Sequence, residues 1–158
     1  CCIFDIAIPI HIKIIKFEQA VKEYCPHLDT LEGDERTTAF DNICNLYGLF
    51  ASLLPIEGAI DAVTQLLTNS RFEVYFLSTA MWDVPQSWTD KRIWVEKYFG
   101  DLAKKRLILT HRKDLSIGDF LVDDRFKNGA GEFRGEHIHF GSETFPNWKS
   151  VLEYLLGK

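Results

Sequence analysis

The chain has 158 residues, 46% of them hydrophobic and 13% aromatic, and a formal net charge of −5. That length points to one compact domain with room for a small insertion, and so much apolar content argues against a disordered chain. An acidic balance with no basic stripe argues against a nucleic-acid polymer as partner and leaves open a small anion neutralised by Mg2+.

The four cysteines, Cys1, Cys2, Cys25 and Cys44, form no C-x-x-C pair and crowd into the first third of the chain. They suit neither a zinc site nor a disulfide framework, so a reducing, cytoplasmic setting is expected. The opening CCIFDIAIPI is apolar but interrupted by Asp5, with no basic segment before it. It reads as a first core strand over 2–10 rather than a signal peptide. No run approaches membrane-spanning length, so no membrane partner is expected.

In KIIKFEQAVKEY (13–24), Ile14, Phe17, Val21 and Tyr24 recur at helical spacing. Residues 26–35 are charged and turn-rich, and AFDNICNLYGLFASLL (39–54) predicts short helical pieces. After Pro55, EGAIDAVTQLLTN (57–69) predicts an amphipathic helix with Ile60, Val63, Leu66 and Leu67 on one face. FEVYFLSTA (72–80) is the strongest strand pattern, followed by a predicted loop, MWDVPQSW. Thr89 or Asp90 is placed to cap a helix through KRIWVEKYFG, with Gly100 as its stop. RLILT (106–110) and DFLVDD (119–124) predict two buried strands, EHIHFG (136–141) a weaker one, and PNWKSVLEYLLGK a last helix between Pro146 and Gly157.

Continuous apolar strands alternating with helices predict an α/β fold, a three-layer Rossmann-like parallel sheet with helices on both faces. In such sheets ligands sit beyond the carboxyl ends of the strands. The polar residues there are Asp5, then Ser78 and Thr79, then Lys113, then Asp123 and Asp124. Asp123 and Asp124 either cap a turn or act as hard oxygen ligands for Mg2+. Ser78 and Thr79 either bond their own turn or hold a phosphoryl oxygen. Lys113, in the basic HRK loop, is either a solvated lysine or a point charge for a phosphate. Asp5 lies inside an apolar strand, where an unpaired charge is costly. His111, His137 and His139 lack metal-ligand partners at useful spacing and read as surface or strand-edge residues. Phe40, Tyr47, Phe50 and Trp82 either stack on a base or belong to the core.

Asp, then Ser/Thr, then Lys, then Asp-Asp resembles the four-motif order of the haloacid dehalogenase-like phosphatases. YFLSTAMWDVPQSWTDKRIWVEKYFG, LILTHRKDLSIGDFLVDDR and the following KNGAGEF…GEHIHFG are similar to the 5'(3')-deoxyribonucleotidases within that superfamily, over roughly residues 53–156. The resemblance implies a core of 1–14 and 53–158 with a small helical cap over 15–52. It implies an Mg2+-dependent phosphatase of nucleoside monophosphates, and a homodimer as in many such enzymes. By resemblance, Asp5 is the nucleophile that forms an aspartyl-phosphate. Ser78, Thr79 and Lys113 hold the phosphate, with Lys113 balancing charge. Asp5, the Ala7 carbonyl, Asp123 and Asp124 hold the metal.

The first motif departs from the family's D-x-D-G-[VT]. Here the chain reads Asp5-Ile6-Ala7-Ile8-Pro9, so the second aspartate, the general acid/base, is replaced by Ala7. Such assistance is worth about 10²–10⁴ in rate. Three readings stay open: a protein that binds nucleotide or phosphate without turnover, an enzyme with another proton donor, or a first dozen residues that differ from the natural sequence.

Overall fold

The computed structural model describes residues 4–8 and 17–158, and within 4–8 it describes the backbone together with the Ile6 side chain. Five parallel strands form one sheet: β1 (Phe4–Ile8), β2 (Phe72–Ser78), β3 (Leu107–Leu109), β4 (Phe120–Asp123) and β5 (Glu136–His139). Their order is β3-β2-β1-β4-β5, which puts β1 in the middle, between β2 and β4. The described helices are α1 (Phe17–Tyr24), α2 (Gly33–Cys44), α3 (Leu49–Ser52), α4 (Ala59–Thr68), α5 (Pro85–Phe99) and α6 (Trp148–Leu156).

The alternation of β2 sets the two faces of the sheet. Phe72, Val74 and Phe76 point into the main core with Ile6, Val122 and Ile138, while Leu77 joins Leu121, Ala130 and Phe133 on the other side. Helix α4 meets the main core with Ala59, Ala62, Val63 and Leu66, the i, i+3, i+4, i+7 stripe that 3.6 residues per turn produces. Helix α6 does so with Trp148, Val151 and Leu155, and its first turn is closed by a reciprocal box between Asn147 and Ser150. Each such large side chain contributes roughly 1.5–3 kcal/mol by leaving water. Trp94 of α5 is also buried, and its indole N–H donates to the Leu53 carbonyl at 2.8 Å, tying α5 to the chain leaving α3.

Several boundaries differ from the sequence-based expectation. Helix α2 starts at Gly33, inside the stretch read as turns, where Asp34 and Glu35 favour a helix amino end. Helix α6 starts at Trp148 with Asn147, not Pro146, at its head. Helix α5 starts at Pro85, inside the segment read as a loop. Proline suits the first helical position because its missing N–H would be unpaired there anyway. Asp90 therefore does not cap α5. It is buried inside α5, where Oδ2 accepts the Phe50 N–H at 3.2 Å and Oδ1 accepts the Gln86 amide at 2.6 Å. No described helix is long and apolar enough to cross a membrane.

Candidate functional site

Strands β2, β3 and β4 all point their carboxyl ends at one rim of the sheet. The chain leaving β2 is pinned to the chain leaving β3: the Thr79 hydroxyl donates to the Thr110 carbonyl at 2.8 Å, and the Thr110 N–H to the Ser78 carbonyl at 2.8 Å. The Thr110 hydroxyl then accepts the Arg112 N–H at 2.9 Å, which turns the chain toward Lys113. The Lys113 N–H donates to the Asn128 carbonyl at 2.8 Å, so the loop after β4 holds the loop after β3. Gly129 makes that approach feasible: its φ is +79°, and a Cβ there would lie 2.1 Å from Asp114 Oδ1.

Lys113 and Asp123 meet at this rim, 4% and 2% exposed, with the ammonium donating to Asp123 Oδ2. Asp123 Oδ1 accepts the Arg125 N–H at 3.0 Å, and Asp124 Oδ2 lies 3.6 Å from Arg125 Nε. A cavity of about 210 Å3 opens onto Thr79, Trp82, His111, Lys113, Asp123 and Asp124. Among the residues expected at the site, then, Thr79, Lys113, Asp123 and Asp124 share one cavity wall.

Ser78 is fully buried, and its Oγ has no hydrogen-bond partner among the described residues. One other buried side-chain polar atom shares that condition, Nζ of Lys91 in α5, 5.2 Å from the centroid of the Phe50 ring. Burial pushes the Lys91 ammonium down to about pKa 7, the charge of Lys113 pushes the same way, and Asp90 opposes both. Lys113 thus lies close enough to Lys91 for its charge to disfavour a second one there.

The roles expected of Asp5 and Ala7 fall on residues described by backbone alone. Their side chains lie outside the described residues, but the backbone register is defined: Asp5 pairs with Glu73 and Ala7 with Tyr75 on one side, and Ala7 with Leu121 on the other. Ser78 is five residues beyond the Asp5 level, about 16 Å along a strand at ~3.3 Å per residue. Strand β1 runs past Asp5, as the expected strand over 2–10 does. Ile6, Ala7 and Ile8 continue the ladder, and no glycine turn interrupts it.

His137 and His139, read from sequence as surface or strand-edge residues, do sit on the edge strand β5, and they also bond the acidic pair. His137 Nε2 lies 3.2 Å from the Asp123 carbonyl and His139 Nε2 lies 3.1 Å from the Asp124 carbonyl. Burial lowers the His137 pKa, against the backbone bond and charge of Asp123. The signal was the EHIH alternation, which puts both rings on one face of β5 beside β4. Of the proposed base-stacking rings, Phe50 is core and Phe40 packs on it, whereas Tyr47 and Trp82 are exposed.

A site for Mg2+ is tested by the donor set. Mg2+ takes one or two carboxylates and fills the remaining positions with water and substrate phosphate. Asp123 and Asp124 fit that demand, although no group of three or more potential ligands gathers among the described residues.

Comparison with known proteins shows the family. The family model described as 5' nucleotidase, deoxy (pyrimidine), cytosolic type C protein matches residues 16–150. A protein of Vibrio phage KVP40 described as "Putative 5'(3')-deoxyribonucleotidase" is 59% identical over 108 residues, 68% of this chain and 62% of that protein. A protein of Bordetella bronchiseptica with the same description is 33% identical over 117 residues, 66% of this chain and 62% of that protein. The human 5'(3')-deoxyribonucleotidase, cytosolic type, is 30% identical over 115 residues, 71% of this chain and 52% of that protein. This chain therefore spans between half and two thirds of the length of these relatives. With the family model matching most of its residues, the chain belongs to the 5' nucleotidase, deoxy (pyrimidine), cytosolic type C family, which is haloacid dehalogenase-like.

Proposed function

We propose that the protein is an Mg2+-dependent phosphatase of nucleoside monophosphates. The observation that carries this is the buried Lys113–Asp123 pair beside Asp124, opening on the same cavity as Thr79 at the carboxyl rim of a parallel sheet. Ser78 Oγ and Lys91 Nζ, buried and without described partners, are donors that a phosphate could satisfy. Lys113 neutralises the anion, and Asp123 and Asp124 would hold Mg2+, which supplies further positive charge against the phosphoryl oxygens when bound. The His137 and His139 rings hold the carbonyls of the two aspartates in place.

In the full reaction a carboxylate oxygen of Asp5 forms a bond to phosphorus while the ester bond to the nucleoside oxygen breaks, and that oxygen takes a proton from water. Water then cleaves the aspartyl-phosphate and releases inorganic phosphate. The reading includes the three-layer core with its cap over 15–52, a cytoplasmic setting, and a homodimer testable by sedimentation.

A second reading is favoured by one observation. The β1 register sets Asp5 level with Glu73, far from the Ser78 level, and Ala7 supplies no proton. A site with these residues binds nucleotide or phosphate without turning it over. The experiment is phosphate release from 2'-, 3'- and 5'-nucleoside monophosphates with Mg2+, using mass-verified protein and an Asp5→Asn variant alongside. Turnover abolished by the variant establishes the phosphatase and requires β1 to shift in the working enzyme. Saturable binding with no turnover in either protein establishes the binding reading. Absence of both sinks the proposal.

A further inference from the structure

Phe126 follows the Asp123-Asp124-Arg125 run at the carboxyl rim of β4, is 59% exposed, and belongs to neither face of the core. Its neighbours Arg125 and Lys127 line the cavity, but Phe126 does not. Its ring turns toward β5 instead, 4.9 Å from the imidazole of His137 and 4.9 Å from that of His139, centroid to centroid. The backbone on both sides holds it there. The Arg125 N–H donates to Asp123 Oδ1 at 3.0 Å, and the Gly131 N–H donates to the Phe126 carbonyl at 3.2 Å. A Cβ at Gly131 would come within 3.3 Å of that carbonyl oxygen and 3.4 Å of the Phe126 Cβ, so the close approach suits a residue without a side chain. One phenyl ring thus spans two imidazoles that lie 6.0 Å apart on β5.

A carbonyl oxygen only accepts, so the Nε2 atoms at 3.2 Å from the Asp123 carbonyl and 3.1 Å from the Asp124 carbonyl both carry hydrogens. A half turn of either imidazole about its Cβ–Cγ bond would put a carbon where that N–H stands and lose the bond. The phenyl ring, edge-on to His137 and tilted against His139, opposes that rotation at both. Asp123 is the last residue of β4, and Asp124 lies one residue past it, where the strand ladder no longer fixes the chain. The bond from His139 therefore helps to hold the backbone from which Asp124 reaches the cavity.

We propose that Phe126 is a positioning residue for the two metal carboxylates: its ring locks the His137 and His139 imidazoles against the Asp123 and Asp124 carbonyls and thereby raises the affinity of the rim for Mg2+. The inference rests on the reading in which Asp123 and Asp124 hold the metal, and it adds a residue that touches neither metal nor phosphate. An apolar ring suits the task because it brings no donor or acceptor of its own. A polar side chain at this place would compete for the imidazole N–H groups or for the carbonyls they hold.

Two measurements on the full chain test this. Magnetic resonance of isotope-labelled histidine, without metal and at a pH where both rings are neutral, reads the tautomers. His137 and His139 should be Nε2–H in the wild type and in Phe126→Tyr, and should mix with the Nδ1–H form in Phe126→Ala. Equilibrium dialysis of 2'-deoxyuridine 5'-monophosphate over a series of Mg2+ concentrations reads the metal. Phe126→Ala should raise the half-maximal concentration by about 10-fold, the low end for loss of an outer support, with binding at saturating Mg2+ unchanged. Phe126→Tyr should stay near the wild type. In a chain that already carries His137→Ala and His139→Ala, Phe126→Ala should add less than about twofold, because the ring then has nothing to hold. Phe126 lies outside the core, so far-ultraviolet circular dichroism of the variants should match the wild type. A Phe126→Ala protein with wild-type tautomers, or with wild-type Mg2+ dependence, overturns the inference and leaves the phosphatase reading intact. An undiminished loss in the chain without the two histidines overturns it too, since the ring would then act by another route. A wild type whose nucleotide binding ignores Mg2+ fails the metal reading and the positioning role with it.

Discussion

The rim around Lys113 and the interior of α5 around Lys91 each bury a lysine, 4% and 1% exposed, but they treat its charge in opposite ways. At the rim the ammonium has Asp123 as a direct partner, and Asp123 has a second donor in the Arg125 N–H. Inside α5 the neighbouring carboxylate, Asp90, is already committed to Phe50 and Gln86, and Lys91 faces the Phe50 ring. Sequence distance from a carboxylate is therefore a poor guide to pairing: Lys113 is ten residues from its partner and Lys91 adjacent to an acid that does not hold it. The difference separates a lysine kept charged from one whose charge is costly unless an anion arrives.

The largest expected effect comes from breaking the paired region. Lys113→Ala leaves the Asp123 carboxylate buried beside one backbone N–H, which costs about 3–5 kcal/mol by the usual penalty for an orphaned buried charge. Urea denaturation checks the stability, and phosphate binding by dialysis should vanish. Lys113→Met combined with Asp123→Leu should recover much of the stability without the binding. A double variant as unstable as Lys113→Ala would mean that the pair contributes more than mutual neutralisation.

Lys91→Met tests the unpaired region and has the opposite sign. The folded-state pKa of Lys91 is about 7, below its ordinary 10.5, because of burial first and Lys113 second. Between those values the unfolded chain binds more protons, so this group makes stability rise with pH from about 7 to 10.5, and its cost is greatest and constant below pH 7. At pH 6 the Met variant should be more stable than the wild type, by on the order of a few kcal/mol at most. The gap should close as pH approaches 10. Denaturation midpoints at pH 6 and pH 9.5 give the comparison, and a gap independent of pH would place a partner on Lys91. Nucleotide binding should weaken in the same variant, since its anion would lose a donor.

The rim was largely legible in the sequence because its signals are local. Apolar runs in β2 and β4 end on Ser78 and on Asp123 and Asp124, and strand ends are where an α/β sheet places polar groups. Lys91 was not legible: a lysine between Asp90 and Arg92 looks like part of a solvated helix face, and only the packing of α3 on α5 buries it. The start of α5 was missed because the bonds from Ser87 and Trp88 back to Met81 form only once the turn has closed. The register of Asp5 is not readable from sequence for a third reason. Register belongs to pairs of strands, and a run such as FDIAI carries no mark of which residue will stand opposite Glu73.

His137→Ala and His139→Ala sharpen the rim side at a smaller scale. Each ring supports a carbonyl next to a candidate metal carboxylate and stands outside the lining of the cavity. Outer supports of this kind are typically worth about 10–100-fold in metal affinity. The Mg2+ concentration giving half-maximal nucleotide binding should rise by about that factor, with binding at saturating Mg2+ closer to wild type. A loss that excess Mg2+ does not restore would mean that the rings support the fold of β4 and not the placement of the acids.

The smallest effect is expected at a second charged pair, Arg106 and Glu73, which lies at the far end of β2 from the rim. Arg106 Nη1 meets Glu73 Oε1 at 2.7 Å and also donates to the Val74 carbonyl at 3.2 Å, so its geometry is at least as complete as that of the rim pair. Its side chains, however, are 30% and 39% exposed, and water screens them. Glu73→Gln should therefore cost less than about 1 kcal/mol, and 1 M salt should remove most of that difference. If instead the substitution matched Lys113→Ala, geometry and not burial would set the worth of a charged pair in this sheet. A small, salt-sensitive cost would confirm that the same two charges count heavily at the rim because water is kept from them there.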